Sequence, residues 1–305
     1  MATAPAGIPP RQSESRAPAR APELQDPLNR YLFHPLSRRL ARLLLPTGVS
    51  PNAVSIFGLL LLWLATFFYV ARPWPEGAAI GFLLHLSWHV TDGADGDLAR
   101  LKGAASPHGE LVDGVCDYAG HVVMYIAFAF LLEDQIGGWA WFWAAVAGAS
   151  HVAQTNHADS QRRTYLWWAY GVPWLKQSKA RGDAVFRRQS WFGTLFGWMA
   201  AEYIRLSNAM VPANAVVERA IADAAGDPAR TARIRRLVRR SARRSLLFQQ
   251  ALAANPKTVL IGGSMLIGSP LWFFLAEALL LNLVLIASLI HHDRRARRLA
   301  RALNG

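Results

Sequence analysis

Residues 53–71 form a run without a single charged side chain, and the run is long enough to cross a bilayer. About 20 predominantly apolar residues suffice for a helix to do so. Further apolar segments occupy about residues 77–90, 115–132, 136–152, 246–267 and 271–290. The segment 246–267 is the most polar of these, because it carries Gln249, Gln250, Asn255, Pro256 and Lys257. Polar turns part the segments, at Arg72–Glu76, at Glu133-Asp134-Gln135 and at Gly268-Ser269-Pro270. The expectation is an all-α integral membrane protein with six transmembrane helices. Just before the first span, Tyr31, Leu32, Leu36, Leu40, Leu43 and Leu44 recur at helical spacing among Arg30, Arg38, Arg39 and Arg42. That pattern predicts an N-terminal amphipathic helix lying on the membrane surface.

Composition sharpens the class. Hydrophobic residues make up 52% of the 305-residue chain and charged residues 17%, against roughly 25% charged in ordinary soluble domains. Disorder over the whole length and a collagen-like chain are excluded by that balance. The single Cys116 excludes a disulfide scaffold within one chain and a Cys-rich zinc site. The net charge of +13 would suit a soluble nucleic-acid binder, but such a protein would rarely be as apolar. A membrane protein with basic cytoplasmic segments fits both numbers.

The organisation follows. Residues 1–26 are rich in Ala, Pro, Ser and Arg and read as a disordered tail, without the apolar core of a signal peptide. Residues 27–155 hold the amphipathic helix and spans one to four. Residues 156–245 form a basic insert too polar to span, with Arg162, Arg163, Arg187, Arg188 and a cluster from Arg233 to Arg244. Residues 246–290 supply spans five and six, and 291–305 are a basic tail. By the positive-inside rule both termini and the insert are cytoplasmic, and the expected setting is a bacterial inner membrane. Contact with membrane lipids is the simple reading of the Arg cluster. No aromatic platform accompanies it, so nucleic acid is not an expected partner.

The chemistry concentrates in two short stretches. One runs from Asp92 through Asp95, Gly96 and Asp97 to Ala99 and Arg100, the other from Gly109 through Asp113 to Asp117. With about 100° of turn per residue, Asp92, Asp95, Gly96 and Ala99 share one helix face within roughly 100°. Gly109, Asp113 and Asp117 step by about 40° each and form a stripe on the next helix. Asp97 and Glu110 fall off these faces, which predicts solvated or capping roles. Each Asp near a bilayer centre costs roughly 2.5–3.5 kcal/mol on insertion scales. Four on converging faces therefore call for a cation or for water. Hard oxygen donors without Cys or paired His select Mg²⁺, Mn²⁺ or Ca²⁺. Four carboxylates suit two divalent ions about 3.5–4 Å apart, an arrangement used for phosphoryl chemistry. Gly96 and Gly109 leave room for a ligand to approach the backbone.

The spacing D-x-x-D-G-x-x-A-R-x(8)-G-x-x-x-D-x-x-x-D resembles the signature of the CDP-alcohol phosphotransferases, and Asp92, Asp95, Gly96, Ala99, Arg100, Gly109, Asp113 and Asp117 fill its fixed positions. The segment Pro51-Asn52-Ala53-Val54-Ser55 is similar to the way the family begins its first helix. The resemblance covers roughly residues 27–155 and the last two spans, and the insert departs from it. It implies a six-helix membrane enzyme, usually a homodimer, with its site at the cytoplasmic surface. It implies a CDP-linked donor, an acceptor alcohol and two divalent ions, Mg²⁺ or Mn²⁺. By position it makes Asp92, Asp95, Asp113 and Asp117 metal ligands, with Asp117 also the general base. Gly96, Ala99, Arg100 and Gly109 would line the nucleotide pocket.

The signature does not encode the acceptor. His151, Gln154, Asn156, His157, Arg162 and Arg163 lie near the cytoplasmic end of span four, and His121 sits one turn beyond Asp117. Of these, Arg162, Arg163 and His121 are the candidates for acceptor contact, since Arg binds phosphate bidentately. The plain alternatives are headgroup contact for the arginines and a buried hydrogen bond for His121. Two donors remain open: CDP-diacylglycerol with a small polar acceptor, which the basic rim favours, or a CDP-choline or CDP-ethanolamine type donor with a lipid hydroxyl. A different class, an ion or proton transporter using intramembrane carboxylates, predicts acids spread over several spans rather than confined to one helix pair.

Overall fold

The computed structural model describes residues 21–174, 176–177, 191–224 and 226–304, and among these no strand occurs. The helices are α1 (His34–Leu44), α2 (Pro51–Ala71), α3 (Glu76–Leu101), α4 (Pro107–Ile136), α5 (Trp139–Tyr170), α6 (Trp191–Met210), α7 (Asn214–Asp223), α8 (Pro228–Arg240), α9 (Arg243–Ala251), α10 (Ala254–Leu266), α11 (Leu271–Leu275) and α12 (Asn282–Asn304). Short π-helical segments, Asn29–Phe33 and Ala276–Leu281, precede α1 and α12. The chain forms two compact units, one from Gln25–Gln154 with Ala253–Asn282, the other from Met1–Leu24, Thr155–Leu252 and Leu283–Gly305.

In the first unit, α2 and α4 start in the same way. Ser50 caps α2 by accepting from the Ala53 N–H at 3.2 Å, and Ser106 caps α4 by accepting from the Gly109 N–H at 3.1 Å. A proline follows each cap, where its missing N–H costs nothing and its φ is already helical. Small residues then let α2 and α3 approach closely. A Cβ on Gly81 would stand 2.7 Å from the Tyr69 ring and 2.9 Å from the Ala65 carbonyl oxygen. The core contains Leu62, Tyr69, Trp88, Met124, Phe128, Phe273 and Phe274. Large apolar side chains also point outward, among them Phe57, Leu60 and Phe67 on α2 and Val122, Ile126 and Phe130 on α4.

Three helices among the described residues are long and apolar enough to cross a membrane: Pro51–Ala71, His108–Ile136 and Leu271–Leu303. They contain the expected first, third and sixth spans. The expected second span lies within α3, and the fourth from Trp139 onward within α5; both helices run on into polar sequence. The expected fifth span is not one helix. It divides into α9 and α10 at Leu252 and Ala253, where Ala253 is extended with φ −73° and ψ 174°. Pro256 explains the break: its ring and missing N–H are tolerated in the first turn of a new helix but not in the interior of a continuous one.

The first unit also hides charge. Lys257 on α10 and Glu277 on the π-helical segment are 2% and 0% exposed, with Nζ and Oε1 3.1 Å apart. His151 of α5 meets the same Glu277 oxygen at 2.9 Å, and Tyr125 of α4 donates its hydroxyl to the other. Gln154 donates to the Glu277 carbonyl at 3.0 Å and to Asn282 Oδ1 at 2.9 Å. Four helical elements are thus tied through one carboxylate.

The amphipathic segment ahead of α2 packs on α3 through its small residues. Ser37 and Ala41 are buried, and Ser37 Oγ donates to the Val90 carbonyl at 2.9 Å. Its large residues face the other way, with Tyr31 73% and Leu43 72% exposed.

In the second unit, the described residues of the insert contribute to a core. Tyr165, Trp168, Val217, Ile234, Val238, Ala296 and Leu299 share one core. Residues 21–26, placed in the tail by composition, include a 3-10 turn, Pro22–Leu24. Glu23 in that turn accepts from the Tyr165 hydroxyl at 2.8 Å and from the Tyr170 hydroxyl. Residues 1–20, and Arg187 and Arg188 of the insert, lie outside the described residues.

Breaking a buried ion pair from one side leaves an uncompensated charge. Lys257→Met is therefore expected to lower stability by about 3–5 kcal/mol. The double substitution Lys257→Met with Glu277→Gln should recover most of that loss. Thermal and urea unfolding of the detergent-purified protein checks both; equal losses in the single and double variants would refute the pairing.

Candidate active site

The two acidic stripes meet because α3 and α4 are joined by only residues 102–106. Gly103 adopts φ +62°, the left-handed conformation that closes a helix and that glycine reaches without a Cβ penalty. Lys102 Nζ donates to the Thr47 and Val49 carbonyls at 3.2 and 2.7 Å, which fastens the α1–α2 connection beside this turn.

Asp92 of α3 and Asp113 and Asp117 of α4 each offer a carboxylate oxygen, and the three oxygens lie within 4.8 Å of one another. Oxygens bound about 2.0–2.6 Å from a common ion can stand that far apart. Asp95 is deeper, at 5% exposure. It accepts from the Ser55 hydroxyl at 2.5 Å and from the Gly96 N–H, and it lies beside Asp113. The donor set is hard oxygen, which fits Mg²⁺ or Mn²⁺ and not a soft metal. Three of the four aspartates that the spacing singled out thus stand together as a group able to hold a metal ion, and Asp95 lies beside Asp113 outside that group.

The small residues beside them are not demanded by packing. A Cβ on Gly96 would meet nothing closer than the Arg100 guanidinium at 3.5 Å, and on Gly109 nothing closer than Ser106 Oγ at 3.4 Å. Both contacts are ordinary, so these glycines leave open space next to the carboxylates rather than relieve a clash. Ala99 is half-buried and Arg100 exposed. Asp97 differs from expectation. It is 7% exposed, not solvated, and its Oδ1 receives Arg100 Nη2 at 2.6 Å. Residues three apart on a helix are neighbours, so the same phase that takes Asp97 off the acidic stripe lets it hold Arg100.

The acceptor candidates are engaged by the protein. His121 is 9% exposed, its Nδ1 2.7 Å from the Asp117 carbonyl oxygen and its ring stacked on His151 at 4.9 Å. His151 and Gln154 belong to the Glu277 network described above. In the second unit, His157 Nε2 is 2.8 Å from Ser288 Oγ, and Asn156 donates to the Tyr203 carbonyl at 3.4 Å. Arg162 and Arg163 both reach Asp159, at 3.4 and 2.7 Å, and Tyr203 donates to the same carboxylate at 2.6 Å. Burial would push the Asp159 carboxyl up, but the two guanidinium groups and the Tyr203 hydroxyl outweigh it and hold it down at about 2.

Two features escaped the sequence reading. Ser55 stood in the segment that begins α2 but carried no role; its partner, forty residues away, is visible only in three dimensions. Glu277 was passed over inside the sixth span, although a lone acid in an apolar run is itself a functional signal.

A side chain that orients a metal-binding carboxylate typically changes affinity 10–100-fold when removed. Ser55→Ala is expected to weaken Mn²⁺ binding by about tenfold, read by titration calorimetry. Unchanged binding by a normally folded variant would reduce Ser55 to packing.

No curated protein matches the chain. Residues 48–168 match the model of the family described as CDP-alcohol phosphatidyltransferase. The matched stretch begins after α1 and contains all four aspartates; the last two expected spans, included in the sequence resemblance, lie outside it. Over residues 48–168 the chain is similar to the CDP-alcohol phosphatidyltransferase family.

Proposed function

We propose that the protein is a membrane phosphotransferase that moves a substituted phosphate from CDP-diacylglycerol to the hydroxyl of a small polar acceptor and releases CMP, in phospholipid synthesis. The observation that carries this reading is the convergence of Asp92, Asp113 and Asp117 within 4.8 Å at the α3–α4 turn, beside two glycines that leave space open. The family match supports a CDP-alcohol as donor.

Asp92, Asp95, Asp113 and Asp117 would hold two divalent ions. Bound there, such ions neutralise pyrophosphate charge and stabilise the departing phosphate. Gly96, Ala99 and Gly109 would admit the nucleotide against the helix backbone, and Arg100, steadied by Asp97, would face its phosphates. The Asp117 carboxylate would accept the proton of the acceptor hydroxyl. The hydroxyl oxygen then bonds to the phosphorus that carries the alcohol, the bridging P–O bond breaks, and CMP leaves with that oxygen.

The remaining architecture follows the same reading. Six segments would cross the bilayer, α1 and the π-helical segment before it would lie on its surface through Leu43 and Tyr31, and the basic segments would be cytoplasmic. Two copies would form a homodimer. Glu277 adds a further interior carboxylate, but Lys257 neutralises it, so it does not revive a transport pathway.

The test is CMP release from purified protein with CDP-diacylglycerol or CDP-choline type donors, a panel of acceptors and Mg²⁺ or Mn²⁺. Asp117→Asn is expected to lower turnover by about 100-fold or more, and EDTA to abolish it. Undiminished release by Asp117→Asn would remove the base role. A folded wild-type protein that releases no CMP from either donor class would overturn the phosphotransferase reading.

A further inference from the structure

The second unit presents an arginine surface that the site does not use. On α8, Ile234 and Val238 are buried, while Arg230, Arg233, Arg236 and Arg240 are exposed. At about 100° per residue these four arginines fall within roughly 120°, centred about 120° around the helix from the buried pair. Asp227 is occupied at the start of this helix, where it caps the Ala229 and Arg230 N–H groups at 2.9 and 3.0 Å.

The distal part of α12 packs against α8. Ile234, Val238, Ala296 and Leu299 share a core, and Arg295 donates to Ser241 Oγ and to the Val238 carbonyl at 3.1 and 2.9 Å. Along α12 the exposed large aliphatic residues are Leu283, Ile286 and Ile290, followed by the exposed arginines Arg294, Arg297, Arg298 and Arg301. All fall in one stripe of roughly 120° by the same count. One helix face thus changes from aliphatic to arginine within the four residues after Ile290, a rise of about 6 Å. That is the profile of a helix leaving hydrocarbon for the headgroup layer. Apart from Arg297 with Asp293 at 2.7 Å, none of these arginines forms an ion pair among the described residues. Between the start of α8 and the end of α12 lies a cavity of about 430 Å³, lined by Arg230, Arg233, Arg236 and Leu303.

We propose that α8 and the distal part of α12 form one docking surface for anionic phospholipid headgroups, with α8 lying along the headgroup layer that α12 enters. Three features select lipid. The unpaired guanidinium groups match phosphates, which they can grip bidentately. The apolar stripe on α12 runs continuously into the arginine stripe. The exposed face of α8 carries no aromatic side chain on which a nucleic-acid base could stack. The proposal rests on the reading of the chain as membrane-embedded.

The test uses the full chain in bilayer nanodiscs of phosphatidylcholine, with or without phosphatidylglycerol, and reads amide hydrogen exchange over residues 51–71 and 228–240. Residues 51–71 should be protected in both discs. Exchange over 228–240 should slow by about tenfold only with phosphatidylglycerol, and the slowing should vanish at high salt. The triple variant Arg233→Gln, Arg236→Gln, Arg240→Gln should lose the slowing and keep both the protection of 51–71 and CMP release in neutral discs. Equal exchange over 228–240 in the two discs would overturn the proposal. So would slowing that survives the triple variant, or protection in neutral discs by an RNA oligonucleotide in place of lipid. Free exchange over 51–71 in both discs would overturn the membrane reading, and the lipid surface with it.

Discussion

Four carboxylates of one sign cannot stand together at the end of two apolar helices unless something holds them there. The turn between α3 and α4 does the holding. Gly103 closes one helix, the Ser106–Pro107 pair opens the next, and each acid is carried on a face that the other helix already opposes. Ser55 and the backbone of Gly96 grip Asp95, so the innermost acid is oriented by neutral donors.

Much of this was legible because helical phase is arithmetic. Asp92 with Asp95, and Asp113 with Asp117, fall on single faces at the spacing of one helical turn, and no tertiary knowledge is needed to see that. The prolines at the start of α2 and α4 likewise announce themselves. What the sequence could not show were contacts between residues far apart in the chain. Ser55 against Asp95 and Lys257 against Glu277 depend on which helices become neighbours. Asp97 shows a different limit: its phase was read correctly, but phase does not tell whether an off-stripe carboxylate meets water or a neighbouring arginine.

The fifth apolar segment makes a related point about composition. Averaged over residues 246–267 it is greasy enough to suggest a span, yet the average hides a proline. Helix continuity fails at Ala253 because Pro256 needs a first turn. The polar residues that weakened the segment as a span have uses of their own: Gln249 is buried in α9, and Lys257 is the cation that Glu277 requires.

That pairing bears on biogenesis. Were α10 and the segment carrying Glu277 set in a bilayer, as the proposed function has them, each alone would take an unpaired charge into hydrocarbon. The two reach a neutral state only side by side, and only once Tyr125 and His151 are in place to receive them. Were the chain to end before Glu277, Lys257 would be left a buried cation with no counter-charge.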